Sequence, residues 1–516
     1  MKKKVPFVLL ILDGWGIASK NKGNAIELAN KPNFDLLWRN FPHTTLKAHG
    51  RHVGLSKHQV GNSESGHMNI GAGKIVIQDA TIISEEIQNG KFFKNIALHE
   101  VFDHCNRRHS DLHLMGMISD GESPHSVLEH LYALVDMARK NCKKNIWLHL
   151  ITDGRDSPQY SALKVIDQIT KKINGKAQIA SLIGRFYAMD RGKNWSRTKK
   201  AYDCLTVGNG VNFPNYRDAV VHAYNQGIND EFLEPNVICE SKAAIAKSRV
   251  KNNDGLIFFN LRSDRARQLS KCFVQKDFNA QNPDAFKRRN VLQNLSFCAF
   301  TDFGPDLDHI LTAFPSADIK YTLPMVLKQK KQVYIAETEK YAHMTYFING
   351  GYDAPVNGEE RIRIPSKKIR SYDLKPEMSV YEITKKVKDL IVSAKYDFIA
   401  VNFANPDMVG HTGNIPAVVK AIEHVDVCLG EIAKYVMKQK GTLIITADHG
   451  NAEMKINLKT NEVWAGHTTN PVPFILMNAR LKKLKLNKGE LANIAPTIYE
   501  LMNEKRNPEQ SDSLIQ

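Results

Sequence analysis

A chain of 516 residues is too long for one ordinary domain, and with 42% of its residues apolar it can bury a sizeable core. No stretch approaches the ~20 consecutive apolar residues that a membrane-spanning helix needs, so that class is excluded. The net charge of +17 permits an acidic partner, but the lysines are dispersed, as in KQKKQ at 328–332 and KKLK at 482–485, without the compact, aromatic-interleaved arm of a nucleic-acid binder.

Lys2, Lys3 and Lys4 precede the apolar run VPFVLLIL. That start has two readings, a short signal peptide or a first buried strand flanked by lysines. Asp13 and Gly14 follow at once and no small-residue cleavage site is in place, so it is read as a strand. The next apolar runs are LHLMGMI, NIWLHLIT, GLIFFN, FIAVNF and TLIIT, each short and rich in β-branched or aromatic residues. Longer helical patterns lie between them. One helix is predicted to start at Ser157-Pro158, with proline in its first position, and to stop near Gly175. This alternation predicts an α/β fold with largely parallel sheets. The polar tail after Lys505 is expected to fray. Seven cysteines without CxxC spacing point to reduced thiols and a cytoplasmic setting.

Open α/β sheets bind ligands beyond the carboxyl ends of their strands. VPFVLLIL is followed by Asp13, FIAVNF by Asp407 and His411, and TLIIT by Asp448 and His449. One strand-end Asp is ordinarily a helix cap or a turn former. Three of them, two with a histidine nearby, suggest a shared edge lined with ligands for Zn²⁺, Mn²⁺ or Mg²⁺. His467, in EVWAGHTTNPVPFI, is by itself an ordinary loop histidine.

The segment GNSESGHMNIGAG holds Ser63 among glycines that suit an anion, although a glycine-rich turn with a capping serine accounts for it equally well. A serine hydroxyl needs a base or a metal before it is a useful nucleophile. An ion at Asp13, Asp448 and His449 could supply one, and a second at Asp407, His411 and His467 would bind phosphoryl oxygens. The middle of the chain contributes arginines after apolar runs: Arg155 beside Asp156, Arg185 with Arg191, and Arg262 with Arg265. Scattered arginines usually sit on solvated faces, yet their planar forks also meet carboxylate or phosphate two bonds at a time.

These residues carry a resemblance. GNSESGHMNIGAG, GRFYAMDRGKNWSRTKKAYD, IAETEKYAHMTYF, NPDMVGHTG, TADHGN and HTTNPVPF, together with ILDGWG near the start, are similar to segments of the cofactor-independent phosphoglycerate mutases of the alkaline phosphatase superfamily. The resemblance spans nearly the whole chain. It implies a phosphatase-like α/β/α sandwich at 1–78 and 315–516, with an α/β transferase domain inserted at 79–314. It implies interconversion of 3-phosphoglycerate and 2-phosphoglycerate in glycolysis through phospho-Ser63, without bisphosphoglycerate, by a cytoplasmic monomer whose partner is a small molecule and neither nucleic acid nor membrane. Two Mn²⁺ ions are implied, one on Asp407, His411 and His467, the other on Asp13, Ser63, Asp448 and His449. Substrate contacts are implied for His125, Arg155, Asp156, Arg185, Arg191, Arg262, Arg265 and Lys340, with Asp156 and Lys340 also catalytic. The chain departs from the family pattern at Ser65, where valine is usual, at GLSKHQV in place of GLPDGQM, and at SDGESPHSV in place of SDGGVHSH. That last segment is one residue longer and has Val127 for the second histidine. The alternative is another phosphomutase or a phosphatase of the same superfamily.

Overall fold

The computed structural model describes residues 4–121, 123–241, 245–304, 306–307, 310–316 and 318–516. Lys2 and Lys3, and Glu122 of SDGESPHSV, lie outside the described residues. The chain forms two compact units, Met1–Gln78 with Asp318–Gln516, and Asp79–Ala317.

Strands β1 (Phe7–Leu12) and β2 (His43–Lys47) belong to the first unit. The second unit contributes β3 (Leu112–Ile118), β4 (Ile146–Thr152), β5 (Gln178–Gly184), β6 (Val211–Phe213), β7 (Asn236–Ile238), β8 (Gly255–Phe258), β9 (Ser296–Ala299) and β10 (Leu311–Thr312). The first unit resumes with β11 (Gln332–Glu337), β12 (Glu360–Ile364), β13 (Phe398–Phe403), β14 (Thr442–Thr446), β15 (Val472–Met477) and β16 (Gly489–Glu490). The apolar runs therefore fold as the α/β reading expects.

The first sheet has the order β12-β11-β13-β1-β14-β15-β2-β16. β1 is central, parallel to β13 and β14, with Leu12 opposite Phe403 and Ile11 opposite Thr446. Val8 to Leu12 are fully buried because helices cover both faces, which is why the sequence reads as a continuous apolar run. β11 runs parallel to β13, so β11, β13, β1 and β14 all end on one edge. β15 alone turns back, antiparallel to β14 and β2.

The second sheet has the order β10-β9-β8-β3-β4-β5-β7-β6, parallel except where β5 meets β7. Alternate residues of its strands feed two cores. Leu114, Leu148 and Leu182 face one layer of helices, and Met115, Ile151 and Ile183 face the other. Among the described residues no helix is long and apolar enough to cross a membrane.

Two local expectations are corrected. The helix predicted from Ser157-Pro158 begins at Ala162, after a turn, and ends at Ile173. Its start is set from a distance: the Asp230 carboxylate accepts from the backbone N–H groups of Ser161 and Ala162, both at 2.8 Å. A remote carboxylate replaces the local cap that the sequence suggests. The tail after Lys505 does not fray. Gln510 is buried and donates to Ala72 O and Tyr321 O, and Leu514 sits in the core. Two anchors on an otherwise polar segment outweigh its composition.

Candidate active site

The shared strand edge of the first unit collects chemistry from six places, one of them the loop before β15 that carries His467. Asp13 directly follows β1, its N–H donating to Phe403 O at 3.1 Å. Gly14 turns away at φ +77°, and a Cβ there would stand 2.8 Å from Asp407 Cα, so glycine is what lets these two strand ends meet. Asp407 lies in the short helix Asn405–Gly410 after β13, and His411 ends it. Asp448 and His449 follow β14, and Lys340 closes the single turn Thr338–Lys340 after β11. Ser63 opens the helix Ser63–Ala72, capped by Asn62, whose Oδ1 accepts from Ser65 N at 2.9 Å. A Cβ on Gly66 would meet Asp448 O at 2.5 Å, so its absence lets the first helical turn press against that strand end.

Lys340 stands in the middle of the cluster. Its Nζ lies 2.7 Å from Ser63 Oγ, 2.6 Å from Asp407 Oδ2 and 2.7 Å from Asp13 Oδ1. Ser63 Oγ is also 3.0 Å from His449 Nε2 and donates to Asp13 Oδ1 at 3.3 Å. His411 Nε2 and His467 Nε2 are each 3.2 Å from Asp407 Oδ1 and 3.1 Å from one another. His449 Nε2 lies 3.5 Å from carboxylate oxygens of Asp13 and Asp448. Apart from His411 and His467, these groups are buried.

Such crowding of carboxylates in a dry place attracts positive charge. Burial pushes the Lys340 ammonium toward neutrality, but Asp13 and Asp407 outweigh it and hold its pKa above the ordinary lysine value. Burial likewise opposes a charged His449, and Asp448, Asp13 and Asp407 reverse that, raising it to about 9. Asp407 is held well below the usual carboxylate range: burial raises it, and Lys340, then His411 and His467, bring it down.

The residues fit a divalent cation. Nδ1 of His411, His467 and His449 lies 3.0, 2.9 and 3.2 Å from the carbonyls of Ala465, Gly61 and Gly450. A carbonyl only accepts, so each ring carries a proton on Nδ1 and turns Nε2 toward the carboxylates. Two Nε2 atoms 3.1 Å apart, at His411 and His467, need a shared proton or a cation to face each other. Asp448 Oδ2 is buried and makes no hydrogen bond, although His67 Nδ1 stands 3.2 Å away. Ligand atoms of Asp407, His411 and His467, and of Asp13, Asp407 and His449, gather within 4.8 Å. Imidazole nitrogen with carboxylate oxygen is a donor set for a divalent transition metal.

The second unit gathers the arginines at its own strand ends. Buried Arg185 donates through Nη1 to Asp153 Oδ1 at 2.5 Å and Asp156 Oδ2 at 2.6 Å. Arg191 donates to Asp264 Oδ2 at 2.5 Å, and Arg262 Nε lies 3.5 Å from Asp264 Oδ1. Arg265 donates to Met189 O at 3.4 Å; burial, with Arg191 and Arg185 close by, pushes it down to about 10. Arg155 is more exposed, 3.7 Å from Glu231 Oε1. His125 is buried with Nε2 3.9 Å from Asp156 Oδ2, and burial together with Arg262 and Arg185 lowers it to about 3, so the ring is neutral. A guanidinium depressed in this way by its positive neighbours, as Arg265 is, favours an incoming anion.

Residues 5–506 match the metalloenzyme superfamily. A 2,3-bisphosphoglycerate-independent phosphoglycerate mutase of Methanosarcina barkeri is 46% identical over 519 residues, covering 99% of this chain and 98% of the relative. One of Clostridium botulinum is 43% identical over 507 residues, covering 98% and 97%. The chain belongs to the 2,3-bisphosphoglycerate-independent phosphoglycerate mutases. A solved phosphoglycerate mutase of Leishmania mexicana, studied at low cobalt concentration, is similar in fold, with TM-score 0.81 and 26% identity over 100% of this chain and 98% of that one. As a metalloenzyme with these side-chain clusters, this mutase family member binds divalent metal.

Sequence reasoning passed over His67, Asn402, Asp153 and Asp264. His67 is four residues after Ser63, one helical turn on, which spacing alone could have flagged. Asn402 is the one amide in the apolar run FIAVNF, another legible signal. Asp264 lies between Arg262 and Arg265, in the first turn of the helix Ser263–Val274.

Proposed function

We propose that this chain interconverts 3-phosphoglycerate and 2-phosphoglycerate through a phosphorylated Ser63, as a cytoplasmic monomer that uses two Mn²⁺ ions and no bisphosphoglycerate. The observation that carries the reading is a buried Ser63 Oγ held between the Lys340 ammonium and the Asp13 and His449 side chains. Asp407, His411 and His467 would hold one ion, and Asp13, Ser63, Asp448 and His449 the other. When bound, such ions polarise phosphoryl oxygens and favour the alkoxide form of the serine.

Ser63 Oγ attacks phosphorus, forming the Oγ–P bond as the bond from phosphorus to the glycerate oxygen breaks. The serine proton departs to Asp13 Oδ1, its acceptor at 3.3 Å, and returns when the phosphoserine is broken. Lys340, kept charged by its carboxylate neighbours, stabilises the phosphoryl oxygens. Asp156 exchanges the protons of the two glycerate hydroxyls. Arg155, Arg185, Arg191, Arg262 and Arg265 take the anionic groups of the substrate, and neutral His125 lies next to Asp156 in that cluster. Transfer back to the other hydroxyl completes the isomerisation. Relatives matched over 97% and 98% of their length, at 43% and 46% identity, bear the mutase name, which disfavours the phosphatase alternative.

The test is a coupled assay from 3-phosphoglycerate without bisphosphoglycerate, with acid-quenched label followed on the protein. Ser63→Ala is expected to lose both turnover and label. Turnover that survives in Ser63→Ala would overturn the covalent route.

A further inference from the structure

His67 has an assignable part in the same site, one that rests on Ser63 as the nucleophile. It is fully buried on the helix Ser63–Ala72, one turn after Ser63 and on the same face. Its Nδ1 lies 2.8 Å from Ser63 O and 3.2 Å from Asp448 Oδ2. Its Nε2 lies 3.1 Å from Asn402 Nδ2, and that same amide nitrogen donates to Asp13 Oδ2 at 2.8 Å.

These contacts fix every proton. Ser63 O is a carbonyl and only accepts, so His67 Nδ1 carries a hydrogen. The Asp13 carboxylate fixes which end of the Asn402 amide is the NH₂ group. The second hydrogen of that group then points at His67 Nε2, which must present a lone pair. The ring is held in one neutral tautomer with both nitrogens committed.

This separates His67 from the cation ligands. Ligand atoms of Asp13, His67 and Asp448 do gather within 4.8 Å, so the three look like a further metal triad. In His411, His449 and His467, however, Nδ1 is tied to a backbone carbonyl and Nε2 faces the carboxylate cluster. In His67 neither nitrogen is left over. We propose that His67, with Asn402, is a positioning residue: it hydrogen-bonds the backbone of the nucleophile, is joined through the amide to the Asp13 carboxylate, and packs its ring edge against the Asp448 carboxylate, holding the three in one frame. It touches no reacting atom. Its effect is the register of Ser63 against the two carboxylates that would hold an ion with it.

Substitutions at one position can separate the two nitrogens. His67→Asn can place an amide donor near the Nδ1 position, whereas His67→Gln places its amide near Nε2, and His67→Ala removes both. Binding of Mn²⁺ to the metal-stripped protein is read by electron paramagnetic resonance of the free ion. Groups that orient metal ligands from behind typically matter ~10–100-fold in affinity or activity, and that is the loss expected for His67→Ala and His67→Gln. The turnover number should fall with little change in KM for 3-phosphoglycerate, and His67→Asn should recover much of both losses. Asn402→Leu keeps the volume and removes the amide; it is expected to weaken Mn²⁺ binding in the same direction and serves as the deciding variant if His67→Ala does not fold. Unchanged Mn²⁺ affinity and turnover number in His67→Gln or Asn402→Leu would overturn the proposal, as would His67→Asn behaving no better than His67→Ala. Ser63→Ala, run alongside, keeps the two readings apart: turnover there sinks the phosphoserine, while normal His67 variants with a dead Ser63→Ala sink only the positioning role.

Discussion

Lys340 shows how one side chain can hold a site together. Its ammonium is within 2.7 Å of Asp13 Oδ1 and of Ser63 Oγ, and 2.6 Å from Asp407 Oδ2. Lys340→Met keeps the stem and removes the charge, leaving two buried carboxylates facing each other. Electrostatic groups of this kind contribute ~10²–10³-fold to turnover, so a loss of that order is expected in the steady-state assay. Glu337, at the end of β11, yields a pH prediction. Burial raises its pKa from 4.5 to about 7 against the opposing hydrogen bond from Ser366 Oγ at 2.8 Å, and its Oε1 has no partner. A carboxyl with a raised folded-state pKa favours the folded state while protonated. Its contribution is complete below pH 4.5 and is lost as pH rises through about 7. Glu337→Gln should remove that slope. Relative to the parent it is expected to gain stability on going from pH 5 to pH 8, by ~2 kcal/mol in denaturant titrations at the two pH values.

At the scale of elements, strand ends do the gathering and remote side chains do the trimming. The helix Ala162–Ile173 starts where Asp230 receives two backbone N–H groups, not where Pro158 invites it. The same carboxylate accepts from Tyr224 Oη at 2.6 Å, so one residue fixes a helix start and a neighbouring helix end together. Asp230→Ala removes the cap and leaves the tyrosine hydroxyl unpaired. A loss of ~1–3 kcal/mol is expected, read as a lower melting temperature by circular dichroism. The strands themselves were legible, because a parallel strand covered on both faces must be apolar at every position. Asp13, Asp407 and Asp448 were legible for a related reason: a charged residue within four positions of the end of such a run is held close to the strand edge. His67 and Asn402 each leave a mark, a one-turn spacing from Ser63 and a lone amide in an apolar run, but what each one does, like the role of Asp264, is set by what faces it. The frayed tail was misread because composition is an average, whereas Gln510 and Leu514 act as two individual anchors.

For the molecule as a whole, metal is the property that links stability and activity. A ligand that binds only the folded chain stabilises it by mass action, ~2.7 kcal/mol at a hundredfold excess over Kd. Removing metal with a chelator is therefore expected to abolish mutase turnover and to lower the melting temperature, with Mn²⁺ restoring both. Turnover that persists after exhaustive chelation would remove the metal from the proposed chemistry. The two sheets each gather polar side chains at the carboxyl ends of parallel strands, carboxylates and imidazoles that could hold a metal ion in one unit and guanidinium groups in the other.

By itself the amino-acid sequence determined the alternation of strand and helix, the residues that end the strands, and membership of a family through motifs that run from ILDGWG to HTTNPVPF. It could do so because burial on both faces and chemistry at a strand end each leave a local mark. Only the tertiary structure decided which ring nitrogen faces which oxygen, that Lys340 Nζ lies between Asp13, Asp407 and Ser63, and that His67 is tied to Asn402. Those facts depend on the parallel register of β1 with β13 and on the approach of the helix Ser63–Ala72 to Asp448, and distances set by packing leave no mark at any single position in the chain.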